Sequence, residues 1–296
     1  MHLLEFVMFQ VVGFFVRLLP LRVVGTLGAA LGSAVFRWTN FRKRVTMDNL
    51  RRAFPEESEE KLEEIARGAF ESVGASLLEF MWTPRLTAEL LREYVRIPDV
   101  ELLHTVRKRG KGVVLLGAHF GNWELMAESL GVHIGESIHI IVKPQSNRYV
   151  DRVINEWRVR LGNQIVPMGR AVREVLGTLH SGGFVGILAD QSAPRESLSV
   201  TFFGRQVPTF EGPAMFCLKT GASMVLCTVL RRVNRTYEVQ LQEIPTGDLK
   251  NSAPESIKEL TQRHVSATEQ MIRVHPEQWL WMHKRWKHLA DDSAGG

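Results

Sequence analysis

The chain has 296 residues, 45% of them hydrophobic, and a formal net charge of +5. This length suits one large α/β domain, or a core domain with an appendage, and it allows a substantial core. Its two cysteines, Cys217 and Cys227, exclude a disulfide framework and lack the paired spacing of a zinc site, so we expect a reducing compartment.

The basic charge is concentrated at the N-terminus, where residues 1–52 hold eight Lys or Arg against two acidic residues. The same region has uncharged apolar runs at 6–16 and 23–36, each shorter than the ~20 residues that cross a bilayer as a helix. This pattern favours helices that lie in the membrane interface, with arginines near anionic headgroups. We therefore predict a membrane-associating helical segment over 1–40 and an α/β domain over 41–292.

Two other interpretations of the N-terminus stay open. A signal peptide begins with a positive region and ends at a small-residue cleavage site, but here Glu5 comes first and no clean site follows. Alternatively, glycines at positions 25, 28 and 32 would let two buried core helices pack closely, in water as well as in lipid.

Helix signals come next, followed by alternating strands and helices. Ser58 and the four glutamates after it predict a capped helix start, and 99–109 predicts another helix that ends at Gly110. Short apolar runs then predict strands at 113–117, 138–142, 164–168, 184–190 and 224–230. Helical spacing predicts helices from residue 123 and over 147–161, 170–179 and 213–220. Continuous apolar strands between helices predict an α/β fold, a mostly parallel central sheet flanked by helices. An alternating run at 237–244 indicates an antiparallel edge strand, and 256–274 a last helix.

The segment "LLGAHFGNWELMAESLG" (115–131) places a histidine at the carboxyl end of the first of these strands, where parallel sheets form their sites. On one helix His119 and Glu124 would lie about 140° apart, so they can approach only if His119 precedes the helix. Gly121 permits a turn there, and Asn122 suits the N-cap. Glu124 could then reach back, fix the imidazole tautomer and equip His119 to take a proton from an alcohol.

The local pattern alone leaves a structural role open. A first-turn glutamate is common near the positive end of a helix dipole, and a histidine after a strand is often a hydrogen-bonded loop residue. The chain has no G-x-S-x-G elbow and no P-loop, and its other histidines are not at ligand spacing from His119. We therefore predict no metal and no cofactor.

Several segments carry a family resemblance. "GAHFGNWE" matches the HX4E form of the HX4D/E signature of glycerolipid-type acyltransferases. "TMDNLRRAFPEES", "EWRVRLGNQIVP", "GILADQS" with "FFGR", and "HPEQWLWMHKRWK" resemble, in order, further segments of the late acyltransferases of lipid A biosynthesis, the lauroyl/myristoyl transferase family. The similarity extends over most of the chain, and several motifs in the family's order make a specific signal.

The resemblance implies that His119 is the general base that deprotonates an acceptor hydroxyl for attack on an acyl thioester, with Glu124 orienting it. It implies that Arg158 lies near the acceptor headgroup or the developing charge, although Arg160 is a neighbouring candidate. Candidate substrate-binding residues are Asn122, Arg158, Asp190 and Gln191, the last two matching the family's "DQ" pair. As alternatives, Arg158 would be a solvated helix cation and Asp190 a loop cap. Lys143 stands where the family often has an arginine.

The C-terminal "WLWMHKRWKH" allows three interpretations. Its tryptophans and basic residues could stack on single-stranded nucleic acid, lie at a membrane interface, or close the core. Beside an apolar, basic N-terminus the membrane is favoured over nucleic acid, and core packing is an equal alternative.

The resemblance thus implies an O-acyltransferase, which we expect at the cytoplasmic face of the inner membrane, peripheral or monotopic. It would transfer a fatty acyl chain from an acyl carrier protein thioester to a hydroxyl of a lipid A precursor or a related glycolipid, and bind no nucleic acid. One alternative acceptor is another glycolipid or a phospholipid, possibly with acyl-CoA as donor. Another alternative is a membrane lipid-binding protein in which His119 is structural.

Overall fold

A computed structural model describes residues 2–249 and 251–288 of the chain. The helices in this part of the chain are α1 (His2–Arg17), α2 (Leu21–Trp38), α3 (Lys43–Ala53), α4 (Glu59–Trp82), α5 (Ala88–Tyr94), α6 (Val100–Arg107), α7 (Trp123–Ile134), α8 (Arg148–Val159), α9 (Ala171–His180), α10 (Gly212–Thr220) and α11 (Pro254–Val274). The strands are β1 (Val95–Arg96), β2 (Val113–Gly117), β3 (Ile138–Val142), β4 (Gln164–Pro167), β5 (Phe184–Leu188), β6 (Ser199–Phe202), β7 (Arg205–Pro208), β8 (Ser223–Arg231) and β9 (Tyr237–Ile244).

A seven-stranded sheet forms the centre of the described chain, in the order β1-β9-β8-β2-β5-β3-β4. The pairs from β8 through β4 are parallel, and β9 is antiparallel to β8. The predicted mostly parallel sheet is therefore confirmed. The edge position predicted for 237–244 is wrong, because β1 pairs with β9 on its outer side. A two-residue strand leaves no periodic signal in the sequence.

Helices cover both faces of the sheet, and successive side chains of a strand point to opposite faces. On one face Leu115 of β2 packs with Leu125 and Leu130 of α7. On the other face Val114 and Leu116 belong to the core formed with α9, α10 and α11. All five residues of β2 are buried, which explains why this strand has a continuous apolar run instead of an alternating one.

A hairpin outside the main sheet supports the C-terminal segment. Strands β6 and β7 pair antiparallel, and the Phe202 ring contacts Trp279 and Trp286 at centroid distances of 5.8 and 5.5 Å. Trp279, Trp281 and Trp286 are 2%, 0% and 2% exposed. Their interpretation as core residues is confirmed, and the membrane-interface and nucleic-acid interpretations of these tryptophans are wrong.

The N-terminal helices combine a packed side with an exposed apolar side. A Cβ on Gly28 would lie 2.5 Å from the Gly74 carbonyl oxygen of α4, and one on Gly32 would lie 2.0 Å from that of Phe70. The backbones of α2 and α4 therefore touch, as the glycine pattern allows. Most of the exposed large apolar side chains in the described chain lie between Leu3 and Phe41. Within the described residues, no helix is both long enough and apolar enough to cross a membrane.

The α2–α4 contact predicts that an alanine at Gly32 is destabilising, in contrast to an alanine at a helical glycine that has open space around it. Gly32→Ala should lower the free energy of unfolding by about 1–3 kcal/mol, because its methyl group collides with backbone atoms. Gly177→Ala in α9 should raise it by up to about 1 kcal/mol, because space around Gly177 is open and alanine favours helix. Thermal unfolding followed by circular dichroism measures both, and a Gly32→Ala chain as stable as the wild type would contradict the packing.

Candidate active site

His119 lies in the turn between β2 and α7. Asn122 caps α7, since its Oδ1 accepts a hydrogen bond from the Leu125 N–H at 3.0 Å. Gly121 has a φ of +51°, and a Cβ there would lie 2.3 Å from the Val229 carbonyl oxygen. The turn therefore requires glycine. The prediction that His119 precedes a helix beginning at Trp123 is confirmed.

The C-terminal segment holds this turn in place by backbone pairing. The Leu280 N–H donates to the His119 carbonyl at 3.0 Å, and the Gly121 N–H donates to the Gln278 carbonyl at 2.8 Å. Because these bonds fix the backbone on both sides of Phe120, the direction of the His119 side chain depends on a segment far away in the sequence.

Asp190 is the hydrogen-bond partner of the His119 imidazole. Its Oδ1 lies 2.7 Å from His119 Nδ1. Its Oδ2 accepts the His119 backbone N–H at 2.9 Å and the Trp279 indole N–H at 2.8 Å. In the parallel register Gly117 of β2 pairs with Leu188 of β5, so His119 and Asp190 each stand two residues beyond paired positions. The carboxylate holds the proton on Nδ1 and leaves Nε2 available to accept another.

Burial and charge act in opposite directions on the pKa values of this pair. Burial favours the neutral imidazole, but the Asp190 charge and hydrogen bond outweigh it and raise the pKa of His119 above its ordinary value. Burial would also raise the pKa of Asp190, but the imidazole and the N–H donors lower it to about 2. Asp190 is therefore ionised at neutral pH.

Glu124 has a different partner from the one expected. Its carboxylate forms a two-point ion pair with Arg158 of α8, with Nη2–Oε1 and Nε–Oε2 distances of 2.5 and 2.9 Å. The expected hydrogen bond from the His119 imidazole to Glu124 is replaced by one to Asp190, because the ends of β2 and β5 are adjacent whereas the first turn of α7 faces α8. The Glu124 charge still raises the pKa of His119.

The candidate residues Arg158, Arg160 and Gln191 differ in their surroundings. The Arg158 side chain is 15% exposed, so it is not the solvated helix cation of the alternative interpretation. The neighbouring Arg160 donates to the Leu86 carbonyl at 2.7 Å. Gln191 lies on the open side of the imidazole, with its Nε2 3.3 Å from His119 Nε2. The structure thus brings together His119, Glu124, Arg158, Asp190 and Gln191.

Asn122 is the exception among the predicted site residues. It is 2% exposed, and while its Oδ1 caps α7, its Nδ2 donates to Glu79 Oε2 at 2.9 Å. The amide is occupied on both sides by protein groups. The structure therefore places Asn122 beneath the turn and not on the wall of the pocket described below.

A buried ion pair that sequence reasoning missed anchors Asn122 from below. Arg231 Nη2 lies 2.6 Å from Glu79 Oε2, with side chains 7% and 2% exposed. Gly25 of α2 adjoins the other carboxylate oxygen, since a Cβ there would lie 2.4 Å from Glu79 Oε1. The available signal was a lone glutamate inside the apolar run "SLLEFMW", whose partner lies on a distant strand.

Glu128, one helical turn after Glu124, is a buried carboxyl group that the sequence analysis also missed. It is 2% exposed, and neither of its oxygens has a hydrogen-bond partner among the described residues. Burial, followed by the Glu124 charge, raises the pKa of Glu128 to about 8. The group is therefore mostly neutral at pH 7 and does not compete with Glu124 for Arg158.

A cavity of about 220 Å³ opens beside His119, between α7 and the sheet. Its mouth is polar and includes Glu124, Arg158 and the exposed Lys143, and its wall is apolar. Gly117 and Gly186 line the sheet side. A Cβ on Gly117 would lie 2.8 Å from Leu188 Cδ2, and one on Gly186 would lie 3.3 Å from Ile138 Cγ2, so a larger side chain at either position would crowd the cavity wall. The cavity therefore suits an apolar chain whose polar end lies at the imidazole.

Comparisons with known proteins bear on this site. Residues 2–288 match the family described as bacterial lipid A biosynthesis acyltransferase. The chain is 28% identical over 279 residues to the lipid A biosynthesis lauroyltransferase of Escherichia coli, covering 91% of this chain and 87% of that protein. It is 24% identical over 276 residues to the palmitoleoyltransferase of the same organism, covering 91% and 86%. It is 28% identical over 236 residues to a phosphatidylinositol mannoside acyltransferase of Mycobacterium tuberculosis, covering 75% and 70%.

The pair beneath Asn122 gives a prediction for stability. Glu79→Met should lower the free energy of unfolding by about 3–5 kcal/mol, because it leaves the Arg231 charge buried without its partner. The double change Glu79→Met with Arg231→Met should recover a large part of that loss. Denaturant unfolding of both single variants and the double variant measures the coupling, and simple additivity of the two losses would contradict it.

Proposed function

Because this chain belongs to the bacterial lipid A biosynthesis acyltransferase family and is an acyltransferase of that type, we propose that it acylates a hydroxyl of a lipid A precursor from an acyl carrier protein thioester. The observation that carries this proposal is the His119–Asp190 pair at the mouth of an apolar pocket. A base beside an apolar chain site is what direct acyl transfer to an alcohol requires.

In the proposed reaction, His119 Nε2 takes the proton of the acceptor hydroxyl while the hydroxyl oxygen attacks the thioester carbonyl carbon. The ester C–O bond forms, the C–S bond breaks, and the imidazolium returns the proton to the departing sulfur. Asp190 keeps its charge throughout and stabilises the imidazolium through Nδ1–H. The acceptor hydroxyl replaces the Gln191 amide at Nε2. The acceptor itself attacks, so no acyl-enzyme intermediate is needed.

Two cations at the pocket mouth suit a phosphorylated acceptor. Arg158 is held in a fixed orientation by its two-point pair with Glu124, and its remaining N–H groups suit phosphate or the charge that develops on the carbonyl oxygen. Lys143 lines the same mouth and is exposed. We assign the headgroup of the acceptor to this side, and in this role Glu124 is a positioning residue for Arg158.

The exposed apolar side of α1 and α2 suits attachment to a membrane surface. Val23, Leu27 and Leu31 of α2 are 42%, 48% and 54% exposed and form one stripe at a spacing of four residues. Helix α1 packs against α8 through Phe9 and Trp157, whose rings stack at 5.4 Å, so the apolar side adjoins the helix that carries Arg158. We propose that residues 1–40 dock the enzyme on the cytoplasmic face of the inner membrane, where both substrates meet.

The donor and acceptor are tested by mass spectrometry of the lipid product. Wild type, incubated with a tetra-acylated lipid A precursor and acyl carrier protein thioester, should add the mass of one acyl chain. His119→Ala should lower the rate by about 10²–10⁴-fold, and His180→Ala, which changes an exposed histidine of α9, is the matched control.

Asp190→Asn should lower the maximal rate and move the acid limb of the pH profile to lower pH, because the Asp190 charge raises the pKa of His119.

Other outcomes of that experiment distinguish the alternatives. Turnover with acyl-CoA but not with carrier-bound chains would show that acyl-CoA is the donor instead of the proposed acyl carrier protein thioester. Acylation of a phosphatidylinositol mannoside, the lipid class in the name of the mycobacterial relative, or of another membrane lipid would replace the acceptor and keep the mechanism. If no lipid gains a chain with any donor, a lipid-binding role becomes the better explanation.

The acyl-chain site makes a prediction about chain length. Gly186→Val should shift donor preference toward shorter acyl chains, because the new side chain enters the pocket, and each methylene group excluded from it costs about 0.8 kcal/mol. Val185→Ile, on the opposite face of the same strand, is the control for general overpacking. Competition between donors of different length measures the preference, and an unchanged profile in Gly186→Val would place the acyl chain elsewhere.

Membrane docking makes a separate prediction. Met8 and Phe15 of α1 are 60% and 61% exposed, and changing both to Glu should weaken binding to phosphatidylglycerol-containing vesicles at least about tenfold, since each buried apolar side chain contributes about 1.5–3 kcal/mol. Val233→Glu with Val274→Glu, at sites 104% and 66% exposed, is the matched control. Equal sedimentation of both double variants with the vesicles would contradict the proposed docking surface.

A further inference from the structure

Arg285 is a buried arginine that the proposed reaction does not use. It is 2% exposed, and its Nη1 and Nη2 donate to the Pro208 carbonyl at 2.9 Å and to Thr209 Oγ1 at 2.8 Å. Its guanidinium carbon lies 5.2 Å from the centre of the Phe202 ring. Among the described residues, no ion pair joins it to a carboxylate, and its Nε has no hydrogen-bond partner. A buried cation in such a position is costly unless a negative charge lies nearby.

The nearby negative charge is Asp190. Asp190, Arg285 and His264 all line a cavity of about 10 Å³. His264 is also 2% exposed, with an Nε2 that has no partner within the described residues. The space suits a single water, which would accept from Arg285 Nε–H and donate to Asp190. Asp190 and Arg285 thus line one small cavity, and the Asp190 charge acts on the guanidinium.

We propose that Arg285 is a positioning residue, the buried countercharge of Asp190, and that it sets how tightly the His119–Asp190 pair holds its proton. This inference rests on the proposed role of His119 as the base. Arg285 touches no reacting atom, so it acts on the His119–Asp190 pair only through its charge. A cation near the carboxylate repels the imidazolium, and it also stabilises Asp190 after the imidazole has lost its proton. Both effects favour the neutral imidazole that the reaction requires.

The other ionisable groups around the pair support this assignment. Burial lowers the pKa of Arg285 to about 10 while the Asp190 charge opposes that shift, so Arg285 remains a cation at neutral pH. Burial, with the Arg285 charge, lowers the pKa of His264 on α11 to about 4. Burial also lowers the pKa of His283. Lys287 is exposed to solvent, which screens it, and Glu124 faces His119 from α7 with Arg158 as its partner.

The test is a titration of His119 by nuclear magnetic resonance in the full-length protein labelled with ¹⁵N-histidine. The His119 signal is assigned by its loss in His119→Ala. The variants Arg285→Met and Arg285→Gln remove the charge, and Arg285→Lys keeps it. Arg273→Met is the matched control, because Arg273 also lies over an aromatic ring, 4.4 Å from the centre of Phe203, but pairs with Glu269.

Both uncharged variants should raise the pKa of His119 and move the acid limb of acyl transfer to higher pH, opposite to Asp190→Asn. Arg285→Lys and Arg273→Met should leave the pKa of His119 and the acid limb of acyl transfer close to those of the wild type. A folded Arg285→Met or Arg285→Gln chain with a wild-type His119 titration would overturn the proposal. The proposal would also be overturned if Arg285→Lys folds and neither uncharged variant does, because the charge would then be required only for folding. Failure of the proposed acyl transfer is distinguishable, because the titration needs no turnover.

Discussion

The structure of the site depends on one buried carboxylate that must keep its charge. Asp190 satisfies this requirement with three N–H donors, two from His119 and one from Trp279. These donors come from the loop after β2 and from the C-terminal segment, so one electrostatic constraint joins parts of the chain that are far apart in sequence. The aromatic packing of Trp279 against Phe202 is part of the same arrangement, because it positions the indole N–H.

Two ion pairs with separate supports flank the pocket mouth. His119 and Asp190 are related by the register of two strands, whereas Glu124 and Arg158 join the first turn of α7 to the last turn of α8. A shift of α8 would therefore move Arg158 and leave His119 and Asp190 in place. The neutral state of the buried Glu128 preserves this division, because an ionised Glu128 would attract the same guanidinium.

Much of the fold could be predicted from local patterns. The continuous apolar runs of β2 and β8, the cap at Asn122 and the turn at Gly121 are encoded within a few residues of where they act. The order of the strands is not encoded in this way. The adjacency of β2 and β5, which brings Asp190 to His119, follows from the topology of the whole sheet, so sequence reasoning assigned the imidazole to the nearest carboxylate along the chain. Glu79 and Arg231 were missed for the same reason, since each has a partner distant in sequence.

Because of Gly25, removal of the N-terminal helices would affect more than attachment to a membrane. Its missing side chain admits Glu79, which holds Asn122, the cap of the helix that follows His119. A shortened protein that begins after α2, made to gain solubility, would lose the helix that covers Glu79 and would expose a surface of α4 shaped by contact with a bare backbone. Loss of turnover in such a protein would therefore report damage to the active site as readily as loss of contact with lipid. Exchanging exposed apolar residues of α1 one by one keeps the two effects apart.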